Sequence, residues 1–143
     1  MSLLLEIVTP ERLAYSDTVD AVVLPGSEGE LGVLPHHAPL LTMLGVGELR
    51  IRKSGAEESF AIVGGFLQVR PDRVVVMAET ADLASDIDLE KAQEARREAE
   101  RALDTAGPTD AVDLAAARAQ LQQALLRIRV AERRHREGPR NRG

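Results

Sequence analysis

Residues 74–92 read VVVMAETADLASDIDLEKA, and the spacing of their apolar side chains changes partway along the stretch. The first five residues form the branched, apolar run that is typical of a buried β-strand. Ser85, Asp86 and Asp88 then offer the side-chain oxygens that cap the start of a helix. The stretch therefore predicts a β region up to residue 84, a helical region from residue 85, and a hinge at 80–86.

Short strand-like runs fill the region before this change. Each run is rich in branched residues, and Gly, Pro, Asp or Ser punctuates the gaps. Residues 48–52, ELRIR, alternate polar and apolar side chains as a half-exposed strand must. Short strands at this spacing predict a sandwich or a barrel. The runs lie at 3–8, 21–24, 48–52, 59–63, 66–69 and 74–78.

Alanine-rich stripes mark the region after the change. Between the two stripes, Gly107 and Pro108 are residues that end a helix, so a second helix is expected to begin near Thr109 or Asp110. Two such helices joined by a short turn predict an antiparallel hairpin whose small side chains let the axes approach closely. The stripes, at steps of three and four, comprise Ala92, Ala95, Ala99, Ala102 and Ala106, then Leu114, Ala117, Leu121, Ala124, Ile128 and Ala131.

The glycines of the β region are predicted to be structural. Gly26, Gly29 and Gly32 recur every third residue, but neither a Gly-Lys-Ser/Thr sequence nor a helix follows them, so a phosphate-binding loop is excluded. Gly64 and Gly65 separate two strand-like runs and predict a hairpin or a bulge.

Composition and charge exclude several function classes. The chain of 143 residues has no cysteine and only 2% aromatic residues, so it lacks thiolate metal ligands and stacking platforms for bases or sugars. The net charge of −5 is unevenly distributed, because residues 127–142 carry a net +5 and the remainder a net −10. An acidic body excludes nucleic acid as a partner, whereas the basic end is suited to an acidic one.

No arrangement of side chains in the sequence indicates a catalytic or metal site. His36 and His37 are adjacent, and neighbouring side chains of an extended segment point apart, so they are not expected to chelate one ion. No nucleophile elbow is present. The start of the chain also lacks the features of a signal peptide, and no apolar run approaches membrane-spanning length, so we expect a protein that is soluble or at most peripheral to a membrane. The lack of cysteine favours the cytosolic side.

Three ordered motifs resemble one known family. They are LPGSEGELGVLPHHAPLLT at 24–42, FAIVGGFLQV at 60–69, and Ile87-Asp88 with Lys91-Ala92 at the start of the first helix. The chain resembles the epsilon subunits of bacterial F-type ATP synthase over about residues 3–132. The resemblance implies an α+β protein, with an antiparallel β-sandwich of about ten strands at 1–84, an α-helical hairpin at 85–137, and a disordered basic tail at 138–143.

The resemblance also implies a function and a set of partners. Family members are non-catalytic rotor subunits of the central stalk, peripheral to the cytoplasmic face of the bacterial plasma membrane. Their sandwich binds the gamma subunit and the ring of c subunits, and so couples rotation of that ring to ATP synthesis. Glu30 and His37 fall where the family's sandwich faces the c ring.

By the same resemblance, the hairpin regulates the enzyme. In the family it folds beside the sandwich or extends along gamma, where basic residues of its second helix meet an acidic segment of a beta subunit and block ATP hydrolysis. The residues expected to face a beta subunit are Arg118, Arg127, Arg129, Arg133 and Arg134.

Some relatives bind regulatory ATP through an Ile/Leu-Asp-x-x-Arg-Ala motif and arginines on both helices. Asp88 matches this motif, Lys91 replaces its arginine, and Arg127 keeps an arginine position of the second helix. Gln123 and Glu98 occupy two other basic positions, so the resemblance implies a weak ATP site at most and no required cofactor. The alternative role of Asp88 is a helix N-cap.

Two alternatives from other classes stay open on the sequence. One is a sandwich-fold hydrolase, which would require a pocket that perturbs the pKa of an acid. The other is a coiled-coil adaptor unrelated to ATP synthase, which would use the striped helices alone.

Overall fold

Our computed structural model describes residues 2–105 and 111–137, with side-chain surroundings as far as Arg133. The predicted helix stop at Gly107 and Pro108, the predicted start of the second helix near 109–110, and the basic tail at 138–143 lie outside the described residues.

The first part of the chain is a β-sandwich built from one continuous, bent sheet. Its strand order is β2-β1-β7-β6-β5-β3-β4, and all neighbours are antiparallel except the parallel pair β1 and β7. The predicted sandwich is therefore confirmed, but with one parallel pairing in it. The strands are β1 (Leu3–Val8), β2 (Leu13–Val19), β3 (Ala21–Gly26), β4 (Gly29–Val33), β5 (Leu40–Lys53), β6 (Ala56–Val69) and β7 (Arg73–Leu83).

The structure has seven strands where about ten were expected, because three strands are long. β6 covers two predicted runs and passes through Gly64 and Gly65 without a break. Both glycines have positive φ, and a Cβ on Gly65 would lie 1.9 Å from the carbonyl oxygen of Met77. The register is the same on both sides, so the pair is a bend in one strand rather than the predicted hairpin or bulge.

One apolar core fills the sandwich. Alternate residues of a strand point inward, as Leu3, Leu5 and Ile7 do on β1. The largest of the fully buried side chains come from four strands, β1, β3, β5 and β6, and meet in a single cluster. They are Leu5, Ile7, Leu24, Leu49, Ile51, Ile62 and Leu67.

The second part is the predicted helical hairpin. After the single 3-10 turn Ala84–Asp86, helix α1 spans Leu89–Thr105 and helix α2 spans Ala111–Glu137. The seam between the helices is narrower than the predicted stripes, because Ala95 and Ala102 of α1 are exposed. The buried alanines recur at every seventh residue, as in a coiled coil. They are Ala92 and Ala99 on α1 and Ala117, Ala124 and Ala131 on α2.

Candidate functional site

The hairpin lies against the sandwich through a small apolar contact. Leu126 and Val130 of α2 pack on Ala61 of β6 and Ala84 of the 3-10 turn, and all four side chains are buried. Leu126 and Val130 are four residues apart, so they lie on one face of α2. This face is distinct from the alanine seam with α1, and α2 therefore packs on both sides at once.

Ion pairs flank this contact at both ends. Arg127 Nε donates a hydrogen bond to Asp82 Oδ2 on β7 at 3.0 Å. Six residues further along α2, Arg133 Nη1 donates to Glu48 Oε1 on β5 at 2.5 Å, and its Nη2 lies 3.6 Å from Glu57 Oε1 on β6. Each pair joins an arginine of the hairpin to a carboxylate of the sandwich. The folded position of the hairpin is therefore held by charge as well as by apolar contact.

The five arginines expected to face a beta subunit divide into two groups. Arg118 and Arg129 are exposed on α2. Arg127 and Arg133 are half-buried and turn toward acidic residues of the sandwich. The side chain of Arg134 lies outside the described part of the chain. In the folded hairpin, the described arginines do not form one basic surface.

The residues expected to hold ATP line one cavity. Asp88, Lys91 and Arg127 border a space of about 270 Å³ where the start of α1 meets α2 and the end of β7. Asp88 Oδ1 accepts a hydrogen bond from the backbone N–H of Lys91 at 3.1 Å, which is the geometry of a helix N-cap. Gln123 and Glu98 are absent from the described lining.

Sequence reasoning missed two further acids of this cavity. Asp82 and Asp86 also line it, so three carboxylates face two cations, and Asp82 already pairs with Arg127. A polyphosphate needs an excess of positive charge, which this lining does not supply. The cluster of Asp residues at 82, 86 and 88 was visible in the sequence, but only the fold shows that all three line one cavity with Arg127.

Glu30 and His37 occupy the two ends of the segment around β4. Glu30 is exposed, and its Oε2 lies 3.3 Å from Arg50 Nη1 on β5. His37 follows a turn in which its backbone N–H donates to the carbonyl oxygen of Leu34. Its Nδ1 donates to the carbonyl oxygen of Ala38 at 2.6 Å, since a carbonyl can only accept. This bond leaves Nε2 as the imidazole atom available to a partner.

An exposed apolar row crosses the outer face of the sandwich, and sequence reasoning also missed it. Met43, Phe66 and Met77 are paired in register on β5, β6 and β7, and the row continues through Val8 on β1 to Leu13 on β2. Four of the five side chains are exposed, and Phe66 keeps 49% of its surface accessible. Exposed apolar side chains grouped this way are typical of a protein contact surface.

The described residues offer neither a membrane-spanning helix nor a cluster of metal ligands. Among helices in the described ranges, none is both long and apolar enough to cross a membrane. Within the same ranges, histidines and carboxylates are not grouped in a way that could hold a metal ion.

Family models match both parts of the chain. The β-sandwich domain of the ATP synthase Delta/Epsilon chain matches residues 2–84, and the long α-helix domain of the same chain matches residues 85–132.

Relatives in several bacteria agree with this. The chain is 48% identical over 131 residues to the ATP synthase epsilon chain of Dehalococcoides mccartyi, covering 91% of this chain and 92% of that one. It is 45% identical over 128 residues to the epsilon chain of Desulforamulus reducens, covering 90% and 96%. The epsilon chain of Herpetosiphon aurantiacus is 46% identical over 138 residues, covering 96% and 100%.

Solved structures have the same architecture. A chain of the Euglena gracilis mitochondrial ATP synthase, from the OSCP/F1/c-ring structure, superposes with a TM-score of 0.68 at 25% identity, covering 92% of this chain and 78% of that one. A chain from the central stalk/c-ring structure of the Tetrahymena thermophila mitochondrial enzyme shares the fold, with a TM-score of 0.57 at 14% identity, covering 92% and 97%. The family models and the bacterial relatives together displace the hydrolase and adaptor alternatives: the chain belongs to the ATP synthase epsilon chains, which are non-catalytic subunits of that complex.

Proposed function

We propose that this epsilon chain couples rotation of the c ring to ATP synthesis through its sandwich, and restrains ATP hydrolysis through its hairpin. It is a central-stalk subunit of F-type ATP synthase. The observation that carries the regulatory part is the division of the α2 arginines. Arg127 and Arg133 are paired with the sandwich, so they become available to another partner only when the hairpin leaves.

Opening the hairpin would increase the number of arginines exposed on α2. In the folded position only Arg118 and Arg129 of the four described arginines are exposed. An extended hairpin would add Arg127, Arg133 and Arg134 to the same helix and so create a surface with high positive charge. Such a surface is suited to an acidic segment of a beta subunit, and the attraction between them would be strongly screened by salt.

The exposed apolar row supplies a surface for gamma. A subunit that turns with the stalk needs a contact that survives torque, and apolar burial is the largest favourable term in protein association. Met43, Phe66 and Met77 are available for this on the outer face of the sheet. Glu30 and His37 lie on a different segment, around β4, and we assign them to the c ring. These contacts would place the chain at the cytoplasmic face of the bacterial plasma membrane, peripheral to it.

ATP is included in the proposal as a weak regulatory ligand, and no cofactor is required. Asp88, Lys91 and Arg127 border one cavity, which supports a site. The cavity's three carboxylates oppose a polyphosphate, and Lys91 cannot grip a phosphate with two parallel hydrogen bonds as arginine does. We expect binding too weak to reverse the hairpin balance, because a shift from 1:99 to 99:1 needs about 5.5 kcal/mol of differential affinity.

Hydrolysis by the catalytic hexamer with gamma tests the regulatory role. The full chain and a version ending at Asp86 are added separately, after gamma binding has been shown for both. We expect the truncated version to leave hydrolysis high and the full chain to lower it. Equal rates would remove the inhibitory role and leave only coupling. A further variant, Arg118→Gln with Arg129→Gln, should weaken inhibition without weakening gamma binding.

Gamma binding tests the role of the apolar row. Phe66→Ser removes the aromatic side chain of the row, and we expect the affinity for gamma to fall at least tenfold, as for a buried aromatic anchor. Val112→Ser is the matched control, because Val112 is 82% exposed on the hairpin, away from the row. If both variants bind gamma as the unmodified chain does, the row is not the gamma surface.

A further inference from the structure

A chain of alternating charges runs from the exposed β4 segment to the hairpin. Glu30 Oε2 lies 3.3 Å from Arg50 Nη1, and Arg50 Nη1 lies 3.9 Å from Glu48 Oε1. Glu48 Oε1 accepts a hydrogen bond from Arg133 Nη1 at 2.5 Å. Arg133 also lies 3.6 Å from Glu57. The residue assigned to the c ring and the arginine that holds α2 are therefore joined through two intervening side chains.

The strand register explains why these groups meet. Glu48 and Arg50 alternate with buried Leu49 and Ile51 on β5, so both point to the outer face of the sheet, where α2 lies. Arg50 pairs across the sheet with Val23 of β3, the strand next to β4, which brings it within reach of Glu30.

Glu48 is the most buried of the four charged side chains Glu30, Arg50, Glu48 and Arg133. Its side chain is 11% exposed, against 62% for Glu30. Its Oε2 is fully buried and has no hydrogen-bond partner among the described residues. A carboxylate removed from water in this way depends on nearby positive charge. Two arginines supply this positive charge. Arg133 belongs to the hairpin, whereas Arg50 belongs to the sandwich and also pairs with Glu30.

We propose that Glu30, Arg50, Glu48 and Arg133 form a charge relay, through which occupation of Glu30 by a cationic group of the c ring loosens the hairpin. This inference rests on the proposed contact between Glu30 and the ring. When a partner occupies Glu30, Arg50 loses its exposed acid and closes the remaining gap to Glu48. Glu48 is then neutralised from the sandwich side, and the second guanidinium repels Arg133. The ion pair that holds α2 weakens, and the hairpin opens more often.

Thiol labelling of the full chain measures this opening. The chain has no cysteine, so a single introduced thiol reports alone. Val130→Cys places it on α2 in the apolar contact, where Val130 is 1% exposed and Ala61 and Ala84 cover it. The thiol reacts only when α2 lifts, so the labelling rate follows the open fraction even when that fraction is small. Ala84→Cys is a second reporter, on the sandwich side of the same contact.

Removing the charge of Glu30 imitates its occupation. Glu30→Gln should raise the labelling rate about two- to fivefold, the range of an exposed ion pair. Glu28→Gln is the matched control: it removes the same charge two residues away, and Glu28 makes no ion pair within the described part of the chain. This control should leave the rate unchanged. In an Arg133→Gln background the rate is already raised, and Glu30→Gln should add nothing to it.

Three results would overturn the relay. One is an unchanged labelling rate in Glu30→Gln, and another is an equal rise in Glu28→Gln, which would indicate a general effect of charge. The third is an undiminished effect of Glu30→Gln after Arg133→Gln, which would exclude coupling between the two residues. These outcomes are separate from the proposed function, because gamma binding and inhibition of hydrolysis are measured on other contacts.

Discussion

The sandwich and the hairpin are held by different forces. The sandwich has a core of buried branched side chains drawn from all seven strands, such as Leu5, Leu49 and Ile62. The hairpin meets it through four small or medium side chains and three ion pairs. Apolar burial contributes about 25 cal/mol per Å², while partly exposed ion pairs contribute about 0.2–1 kcal/mol each. One chain thus contains a domain with a large apolar core and a hairpin that is docked on it through a small contact.

Removing a core side chain of the sandwich should have the largest effect. Leu49→Ala deletes three carbons from a side chain that is fully buried, and we expect the free energy of unfolding to fall by about 2–5 kcal/mol. Chemical denaturation followed by circular dichroism measures it. Leu34→Ala is the control, because Leu34 is 63% exposed, and it should change stability by less than about 0.5 kcal/mol. Similar losses in both variants would contradict the core described above.

Weakening the apolar contact between the hairpin and the sandwich should have the second largest effect. Leu126→Ala should lower the free energy of hairpin docking by about 2–3 kcal/mol, since Leu126 is buried against the sandwich. Labelling of Ala84→Cys measures docking, and denaturation should show the sandwich itself unchanged. Leu125→Ala is the matched control, because this neighbouring leucine is exposed. If Leu126→Ala destabilised the sandwich as strongly as Leu49→Ala does, the hairpin would not be a separable part.

A titration of the single tyrosine tests the sandwich alone. Burial, and then the charges of Asp17 and Glu58, raise the pKa of Tyr15 to about 12, against about 10 in an unfolded chain. The folded state disfavours the phenolate, so stability is complete below about pH 10 and falls as the pH rises toward 12. Phenolate absorbance should show half-ionisation well above pH 10 while circular dichroism stays native. Ionisation near pH 10 in the folded protein would contradict this environment.

Substituting single arginines on the two faces of α2 should have the smallest effect. Arg127→Gln breaks the pair with Asp82, and we expect docking to weaken by about 0.5–1 kcal/mol at low salt and by less at high salt. Arg129→Gln, two residues away on the exposed face, should leave docking unchanged. Labelling of Ala84→Cys across a salt series measures both. Equal effects of the two substitutions would mean that docking does not depend on whether the arginine faces the sandwich.

Local patterns were enough to predict the division of the chain. Alternation in ELRIR places Leu49 inside and Arg50 outside, and the structure agrees. The change of spacing after residue 78 indicates that helices follow the strands, because a strand repeats every second residue and a helix about every 3.6. Strand β7 itself continues past this point, as far as Leu83. The two runs predicted at 59–63 and 66–69 are one strand, since Gly64 and Gly65 bend β6 but do not end it. A glycine pair reads the same in a sequence whether the chain turns back or only bends.

The sequence by itself determined which part of the chain forms strands and which part forms helices, because side-chain period and helix capping act over a few residues. It contains the arginines of α2, the acids of the sandwich and the residues of the exposed apolar row, but it does not show which of them come into contact. Only the tertiary structure decided that Arg127 faces Asp82, that Arg133 faces Glu48, and that Met43, Phe66 and Met77 form one surface. These contacts join residues far apart in the chain, and their geometry depends on how the sheet bends and where α2 lies on it.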